Sequence, residues 1–392
     1  MNVLMFGWEL PPHNSGGLGI ACLHLANALA KGGVEVTFVL PRAIEVAAHS
    51  FALAFADDGL NAEKRGERVA SAYSSFGSIA MGPFGDDLFE EVERYAAAGA
   101  VIAASQDFDV IHAHDWLSFG AGIEAARVTG KPFIAHVHAT EIDRTGNNPN
   151  PLIYAREKEG MEAANNIITV SNFTKSVVTS NYGIDPSRVE VIHNAVEDPA
   201  YDSLLPTLVS YKNLGYRMVL FVGRMTLQKG PDYFLKVAKR ILAYKPRTLF
   251  VMVGSGDREG QVIQEASDLG ISDKVIFTGF LRGRELASLY QSADVFVMPS
   301  VSEPFGIAAL EAASHGTPVL ISKQSGVSEV LSHALTVDFW DVDDMTDKLL
   351  SVLKYSSLQQ SLGANGQSQT KTLRWSDAAR KCLTTYQQAL QL

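Results

Sequence analysis

Two acidic residues, Glu303 and Glu311, flank a predicted helix start, and their spacing suits a ligand that carries hydroxyl groups at both ends. A strand-like apolar run at 295–298 precedes Glu303, and Pro304 fits the first turn of a helix over about 305–314. At 1.5 Å per residue, the two carboxylates lie at most on the order of 12 Å apart.

The backbone N–H groups of Phe305, Gly306 and Ile307 lie between these carboxylates, and a helix start of this kind favours negative charge. A hexose, a diphosphate and a ribose in that order would match the pattern, so a nucleotide-sugar is the ligand that we expect. The alternative is a capped surface helix with two solvated glutamates.

Two basic residues, Arg224 and Lys229, follow a predicted strand at 218–222. Arg224 offers a planar fork for phosphate oxygens, and Lys229 offers a compact charge. A departing nucleoside diphosphate gains charge as its bond breaks, so two fixed cations would stabilise the transition state more than the ground state. The alternative is a solvated basic pair.

Glycines occur at two strand-to-helix junctions where backbone amides can approach an anion closely. Gly16 and Gly17 follow the first strand and open a helix, although a glycine-rich packing turn would look the same. Gly254 follows a later strand, where the backbone can pass under a nucleotide, and Phe280 follows another.

Histidines end two further strands. His138 follows a strand at 132–136 and is the candidate for a ligand contact, whereas His136 lies within the strand and should pack in the sheet. His112 and His114 alternate in the preceding strand, but no third ligand stands nearby in sequence, so we predict no bound metal.

Apolar runs alternate with helical patterns along the chain, which predicts parallel sheets with crossover helices. The 392 residues suffice for two domains. We expect two Rossmann-like, doubly wound α/β domains that face each other across a cleft. Their predicted bounds are 1–196 for the first domain, 197–216 for a linker, 217–374 for the second domain and 375–392 for a final amphipathic helix.

Composition narrows the function further. The net charge of −10 and the lack of a long basic run argue against nucleic acid or an anionic membrane as the main partner. The two cysteines, Cys22 and Cys382, imply no disulfide framework, so a cytoplasmic setting is expected. No apolar run reaches the ~18 residues of a spanning helix, and oligomeric state does not follow from the sequence.

The motifs together resemble those of retaining glycosyltransferases of family four, in particular the glycogen-synthase-like subgroup. The resemblance covers nearly the whole chain and includes "EPFGIAALE" from Glu303, "RMTLQKG" from Arg224, "HAHDW" from His112 and "HATEIDRTG" from His138. One departure occurs at Asn14, where these enzymes usually carry a lysine before the glycine pair.

The resemblance implies a GT-B fold, in which the final helix at 375–392 crosses back to the first domain. It also implies a metal-independent transfer of a hexosyl unit from a nucleotide-diphosphate donor, with UDP- or ADP-hexose favoured, to a carbohydrate or other hydroxyl acceptor. Likeness to glycogen synthases favours glucose and an α-glucan acceptor. No cofactor is implied. Retention would follow a front-face route in which the leaving phosphate helps to deprotonate the acceptor, since no carboxylate nucleophile can be nominated.

The residues take their roles from the same resemblance. Glu303 and the amides of 305–307 would hold the sugar, and His138 would contact it near the reacting carbon. Glu311 would bind the ribose. The other assignments are Arg224, Lys229, Gly16 and Gly17 for the diphosphate, Gly254 and Phe280 for the nucleotide, and Asp115, Glu141 and Arg144 for the acceptor. Asp115 is equally suited to cap a helix, and Glu141 and Arg144 to hold a loop.

Two other function classes stay open at this point. A nucleotide-sugar epimerase shares the two-domain architecture, and it would isomerise the donor in the absence of an acceptor. A non-catalytic nucleotide-sugar binding subunit would bind the donor and turn over nothing.

Overall fold

A computed structural model describes residues 1–13, 16–59, 85–146, 148–199 and 204–391 of the chain. The chain divides into two compact units. Unit 1 comprises Met1–Asn194 and Trp375–Leu392, and unit 2 comprises Ala195–Arg374. Each is a parallel sheet with helices on its faces, which confirms the predicted class of two Rossmann-like α/β domains.

The sheet of unit 1 has seven strands among the described residues, in the order β3-β2-β1-β4-β5-β6-β7. The strands are Asn2–Phe6 (β1), Glu35–Leu40 (β2), Ala52–Phe55 (β3), Val110–His114 (β4), Phe133–Val137 (β5), Asn166–Thr169 (β6) and Val189–Val191 (β7). The helices between them are Gly17–Lys31 (α1), Gly85–Ala104 (α2), Trp116–Thr129 (α3), Glu141–Thr145 (α4), Pro151–Ala163 (α5) and Asn172–Tyr182 (α6). Every residue of β4 and β5 is buried, as expected of parallel strands that are covered on both faces.

The sheet of unit 2 has six strands among the described residues, in the order β10-β9-β8-β11-β12-β13. The strands are Arg217–Val222 (β8), Thr248–Val253 (β9), Val275–Gly279 (β10), Val295–Met298 (β11), Val319–Ser322 (β12) and Leu335–Val337 (β13). The helices are Pro206–Asn213 (α7), Pro231–Tyr244 (α8), Glu259–Asp268 (α9), Gly283–Ser292 (α10), Ile307–Ser314 (α11), Val342–Lys354 (α12) and Ser356–Thr370 (α13).

The last helix, Trp375–Ala389 (α14), belongs to unit 1 and packs against α1. Trp375 stacks on His24 of α1 with ring centroids 5.7 Å apart. The Tyr386 hydroxyl lies 2.6 Å from Nδ1 of His112 in β4. Unit 1 is therefore built from the N-terminal part of the chain and from its last helix, which follows unit 2 in sequence.

Three segments differ from the pattern expected from the sequence. The segment expected to be a linker contains α7, and α13 was not predicted at all. The sequence pattern also predicts a helix over 325–332, whereas the structure has only a 3-10 turn at Gly326–Glu329. The sequence of 44–78 mixes alanine-rich and charged stretches and predicts no clear element, and most of this segment lies outside the described residues, as does Asn14.

Among the described residues, no helix combines the length and the apolar character needed to cross a membrane.

Candidate active site

The order of strands in unit 2 reverses between β8 and β11, and the loops that leave these two strands are joined tightly. In open α/β sheets such a reversal at the carboxyl ends of strands is the usual place for a ligand. Val301 N donates to Gln228 O over 2.8 Å. Gly230 has a φ of +63°, and a Cβ there would lie 2.3 Å from Pro299 O, so only glycine permits this approach.

Lys229 and Glu303 meet where these loops join. Lys229 Nζ lies 2.6 Å from Glu303 Oε2, which also accepts a hydrogen bond from Ser300 Oγ over 3.1 Å. The Lys229 side chain is 20% exposed and that of Glu303 only 7%. A pair so placed is less screened than a surface pair, yet the ammonium remains reachable by an anionic ligand.

The backbone of Glu303 is fixed from the neighbouring strand. Glu303 N donates to Gln324 O, and Gly326 N donates to Glu303 O, each over 2.9 Å. Because both contacts reach residues just after β12, the side chain of Glu303 projects from a rigid support. A rigid support is what a ligand-orienting carboxylate needs.

The helix after Glu303 starts later than expected, at Ile307 instead of Phe305. Gly306 is its N-cap with a φ of +109°, and a Cβ there would lie 2.7 Å from Met298 Cε. Phe305 is buried, and its carbonyl accepts from Val327 N over 2.7 Å. The conformation of 305–307 therefore depends on Gly306, whatever this segment binds.

Glu311 lies in the second turn of α11, and its side chain is held by a residue that the sequence did not suggest. Tyr290 OH donates to Glu311 Oε2 over 2.9 Å. Burial raises the pKa of Glu311, and the hydrogen bond from Tyr290 opposes that rise. No motif marks Tyr290; only the packing of α10 against α11 brings the two together.

The remaining donor candidates of unit 2 lie on loops after β8, β9 and β10. Gly254 has a φ of +123°, and a Cβ there would lie 2.1 Å from Gly223 O, so this glycine is needed for close packing next to Arg224. Burial raises the pKa of Asp257, and the positive charge of Arg224 lowers it, so the guanidinium and this carboxylate interact electrostatically. Phe280 is 47% exposed, with the Arg282 guanidinium 4.5 Å from its ring centre.

In unit 1, the order of strands reverses between β1 and β4, and Gly16, Gly17 and Asp115 follow these two strands. Gly17 is the first residue of α1, and Gly16 is its N-cap. A Cβ built on Gly16 would meet no described atom within 4 Å. The described structure therefore leaves room beside this helix start.

Asp115 immediately precedes α3, but its side chain does not cap that helix. Its Oδ1 instead accepts from His138 N over 2.6 Å, and burial raises its pKa to about 6. Its φ of +58° is unusual for a residue that is not glycine. Asp115 therefore occupies the N-cap position of α3, as the alternative expected, but its side chain fixes the backbone at the end of β5 instead of capping the helix.

His138 lies just past β5 and is 9% exposed. Its Nε2 lies 2.9 Å from Nδ1 of His114, and burial lowers its pKa to about 3. The ring is therefore neutral at physiological pH and suited to hydrogen bonding. His136 is 1% exposed inside the sheet, as expected.

Arg144 links the acceptor candidates to a residue missed in the sequence, Glu157. Its guanidinium lies 3.7 Å from Asp115 Oδ2 and 3.5 Å from Glu157 Oε1. Glu157 Oε1 also accepts from Glu141 N over 2.8 Å, and burial raises the pKa of Glu157 to about 8. Glu141 Oε1 accepts from Asn150 N over 3.3 Å. These contacts support the loop-holding alternative for Glu141 and Arg144.

Comparisons with known proteins match both units. A family model described as Glycosyltransferase Family 4 matches residues 15–198, and one described as Glycosyl transferases group 1 matches residues 209–369. An uncharacterized glycosyltransferase of Methanocaldococcus jannaschii is 33% identical over 348 residues, covering 85% of this chain and 83% of that protein. The glycogen synthase of Mycobacterium tuberculosis is 28% identical over 353 residues, with 86% and 81% covered.

Two solved structures share the fold over almost their full lengths. Sucrose-phosphate synthase of Thermosynechococcus elongatus superposes with a TM-score of 0.80 at 20% identity, covering 99% of this chain and 98% of that one. Anabaena HepE in complex with UDP and glucose superposes with a TM-score of 0.74 at 16% identity, covering 99% and 100%. At these identities the likeness shows a GT-B fold.

Proposed function

This chain belongs to glycosyltransferase family 4, and on that premise we propose that it transfers a hexosyl unit, with glucose favoured, from a nucleotide-diphosphate sugar to a hydroxyl acceptor with retention of configuration. The observation that carries the proposal is the Lys229–Glu303 pair, with 2.6 Å between Nζ and Oε2. It joins a cation suited to a diphosphate and a carboxylate suited to sugar hydroxyls.

The donor fits unit 2 in the following way. Arg224 and Lys229 bind the diphosphate, whose arrival draws Lys229 from Glu303 and frees that carboxylate for the hexose. Glu311, oriented by Tyr290, accepts from the ribose hydroxyls. The glycine-rich turn at Gly254 and the exposed ring of Phe280 suit the nucleotide. UDP- or ADP-hexose is the donor class, and the HepE complex with UDP and glucose favours UDP.

The chemical step follows from the charges. The acceptor oxygen bonds to the anomeric carbon on the face from which the diphosphate departs, and the acceptor proton passes to a departing phosphate oxygen. Lys229 and Arg224 stabilise the negative charge that develops on the leaving group. No metal takes part in this step. The resemblance assigns His138 a contact with the transferred sugar and Asp115 one with the acceptor, and an α-glucan is the favoured acceptor.

The test is a thermal-shift screen of UDP, ADP and GDP and their glucose conjugates. A ligand at about 100 times its Kd adds ~2.7 kcal/mol of stability. We expect one nucleotide series to raise the Tm of the wild type and of Lys323→Ala, but not of Lys229→Ala. Lys323 forms an exposed ion pair with Asp338 that is separate from the Lys229–Glu303 pair. No shift with any nucleotide would overturn the proposal.

Incubation of the selected donor with and without acceptors in EDTA then separates the function classes. A transferase releases nucleotide and extends an acceptor such as an oligoglucan or a hexose phosphate. An isomerised sugar without acceptor would identify an epimerase, and binding without turnover would identify a binding subunit.

A further inference from the structure

Four histidines of unit 1 form a buried cluster with Cys22, and the proposed transfer reaction uses only one of them. The cluster consists of His112 and His114 in β4, His136 in β5 and His138 just beyond it, with Cys22 from α1. His114 pairs with His136 in the register of β4 and β5. Because strand side chains alternate between faces, residues two apart in each strand share one face, so the imidazoles gather there.

The hydrogen bonds within this histidine cluster leave two ring nitrogens without a partner. His112 Nε2 lies 3.1 Å from His136 Nδ1, and His114 Nδ1 lies 2.9 Å from His138 Nε2. Among the described residues, the Nε2 atoms of His114 and His136 have no hydrogen-bond partner. Both rings are at most 1% exposed. An unpaired buried polar atom costs about 1–3 kcal/mol and commonly marks a missing ion or water.

Three of these side chains have the composition of a transition-metal site. One ligand atom each from Cys22, His114 and His138 lies within 4.8 Å of the other two. A tetrahedral zinc ion holds its nitrogen and sulfur ligands roughly 3.3–3.8 Å apart, so side-chain shifts of about 1 Å would bring these three atoms to coordination distance of one ion. Burial raises the pKa of the Cys22 thiol most, and the nearby carboxylates of Asp115 and Glu9 raise it further. The negative charge of these carboxylates also favours a cation there.

We propose that Cys22, His114 and His138 bind one thiophilic divalent ion of the zinc class. One nitrogen each of His114 and His138 gives its lone pair to the ion, and the proton that they now share moves to the other nitrogen of the ring that carries it, so both imidazoles stay neutral. The thiol proton of Cys22 leaves to solvent. The ligand atoms of His112, His114 and His136 also lie within 4.8 Å of one another. Both nitrogens of His112, however, already have hydrogen-bond partners, in Tyr386 and in His136 itself. Sulfur and imidazole ligands select zinc, cobalt or copper over magnesium and calcium. His138, with its 9% exposure, is the member that an entering ion would reach first.

Occupation of this site should inhibit the enzyme. An ion on His138 locks that ring and removes it from hydrogen bonding to a sugar. This consequence rests on the proposed function, whereas binding of the ion does not. The molecule would then be a glycosyl transferase that needs no metal and that zinc turns off.

Binding is tested on tag-free, EDTA-treated protein by equilibrium dialysis with Zn²⁺ and by the absorption spectrum with Co²⁺. The wild type should bind one ion per chain and show a thiolate-to-cobalt charge-transfer band. Cys22→Ser should lose that band and bind zinc at least 10-fold more weakly. Cys382→Ser removes the other buried thiol and should behave as the wild type. If Cys22→Ser does not fold, the wild-type spectrum alone decides thiolate ligation.

A wild type that retains no zinc, or a charge-transfer band that persists in Cys22→Ser, would overturn the site. Inhibition is measured as the ratio of transfer rates without and with zinc, which should be large for the wild type and for Cys382→Ser and near one for Cys22→Ser. Zinc binding without any transfer activity would leave the site standing and count against the proposed function. Transfer activity without zinc binding would do the reverse.

Discussion

The two units both place polar residues just beyond the carboxyl ends of their strands, but hold them in different physical states. At the strand reversal of unit 2, Lys229 and Glu303 form a 2.6 Å charged pair with one partner still 20% exposed. Beside the reversal of unit 1, His138 is neutral because burial lowers its pKa to about 3. A charged pair near solvent can exchange partners with an anion, whereas a neutral buried network fixes the shape of its surroundings.

The largest effect should come from Lys229→Ala, which removes the charge on which unit 2 depends. Loss of one preorganised group that stabilises developing negative charge typically lowers turnover by about 10²–10³-fold. We expect a fall of that order in kcat with the selected donor and acceptor. The variant should still fold, with a lower Tm because the Glu303 carboxylate, 7% exposed, loses its cationic partner.

Lys323→Ala is the matched control, because Lys323 forms an exposed 2.9 Å pair with Asp338 in the same unit. It should keep wild-type turnover. Near-normal turnover in Lys229→Ala would remove Lys229 from the chemistry and with it the contrast between the two units.

The second prediction addresses the buried carboxylate of unit 1. Burial raises the pKa of Glu157 to about 8, although Arg144 and Tyr182 oppose the rise. Between about pH 4.5 and 8 the folded chain therefore holds a proton that the unfolded chain has released, so the free energy of unfolding falls as pH rises through that window. Glu157→Gln is always neutral. Relative to wild type it should gain about 4 kcal/mol from about pH 5 to about pH 9.

Chemical denaturation at both pH values measures this difference. Glu190→Gln, at an exposed position of unit 1, should keep the pH dependence of the wild type. Parallel pH profiles for Glu157→Gln and wild type would mean that Glu157 is ionised in the fold, and unit 1 would then not be the neutral network that the comparison requires.

Local sequence patterns predicted the strands well for a physical reason. Buried parallel strands such as β8 and β11 are continuous apolar runs, or nearly so, and Gly or Pro follows them. Helix α13 escaped prediction because its segment is rich in serine, glutamine and glycine and has no apolar stripe. Gly306, with its positive φ, moved the start of α11 by two residues from the place that Pro304 suggested.

The site was predicted only where a motif is contiguous. Arg224, Lys229 and Glu303 stand in recognisable stretches, and the structure joins the last two. Tyr290 and Glu157 carry no motif, because their contacts arise from packing between separate helices. The expectation that His112 and His114 lack a third ligand nearby considered neighbours in sequence, whereas the register of β4 and β5 supplies His136 from the next strand.

The smallest effect should come from Tyr290→Phe, which tests whether Glu311, a half-buried acid of unit 2, also acts through its charge. The hydrogen bond from Tyr290 OH lowers the pKa of Glu311, which burial raises. Without it, Glu311 is less well oriented and more readily protonated, so it accepts more weakly from a ribose. A hydrogen bond of this kind contributes about 1 kcal/mol, which corresponds to roughly a 5-fold rise in the donor KM with little change in kcat.

Phenylalanine keeps the ring that packs on Phe296 and His315, so the fold should persist. Tyr355→Phe, at a position 51% exposed, is the control and should leave both constants unchanged. An unchanged donor KM in Tyr290→Phe would remove Glu311 from the donor site. A fall in kcat at constant KM would instead assign Glu311 to the transfer step, so that unit 2 would use two carboxylates and not one during the reaction.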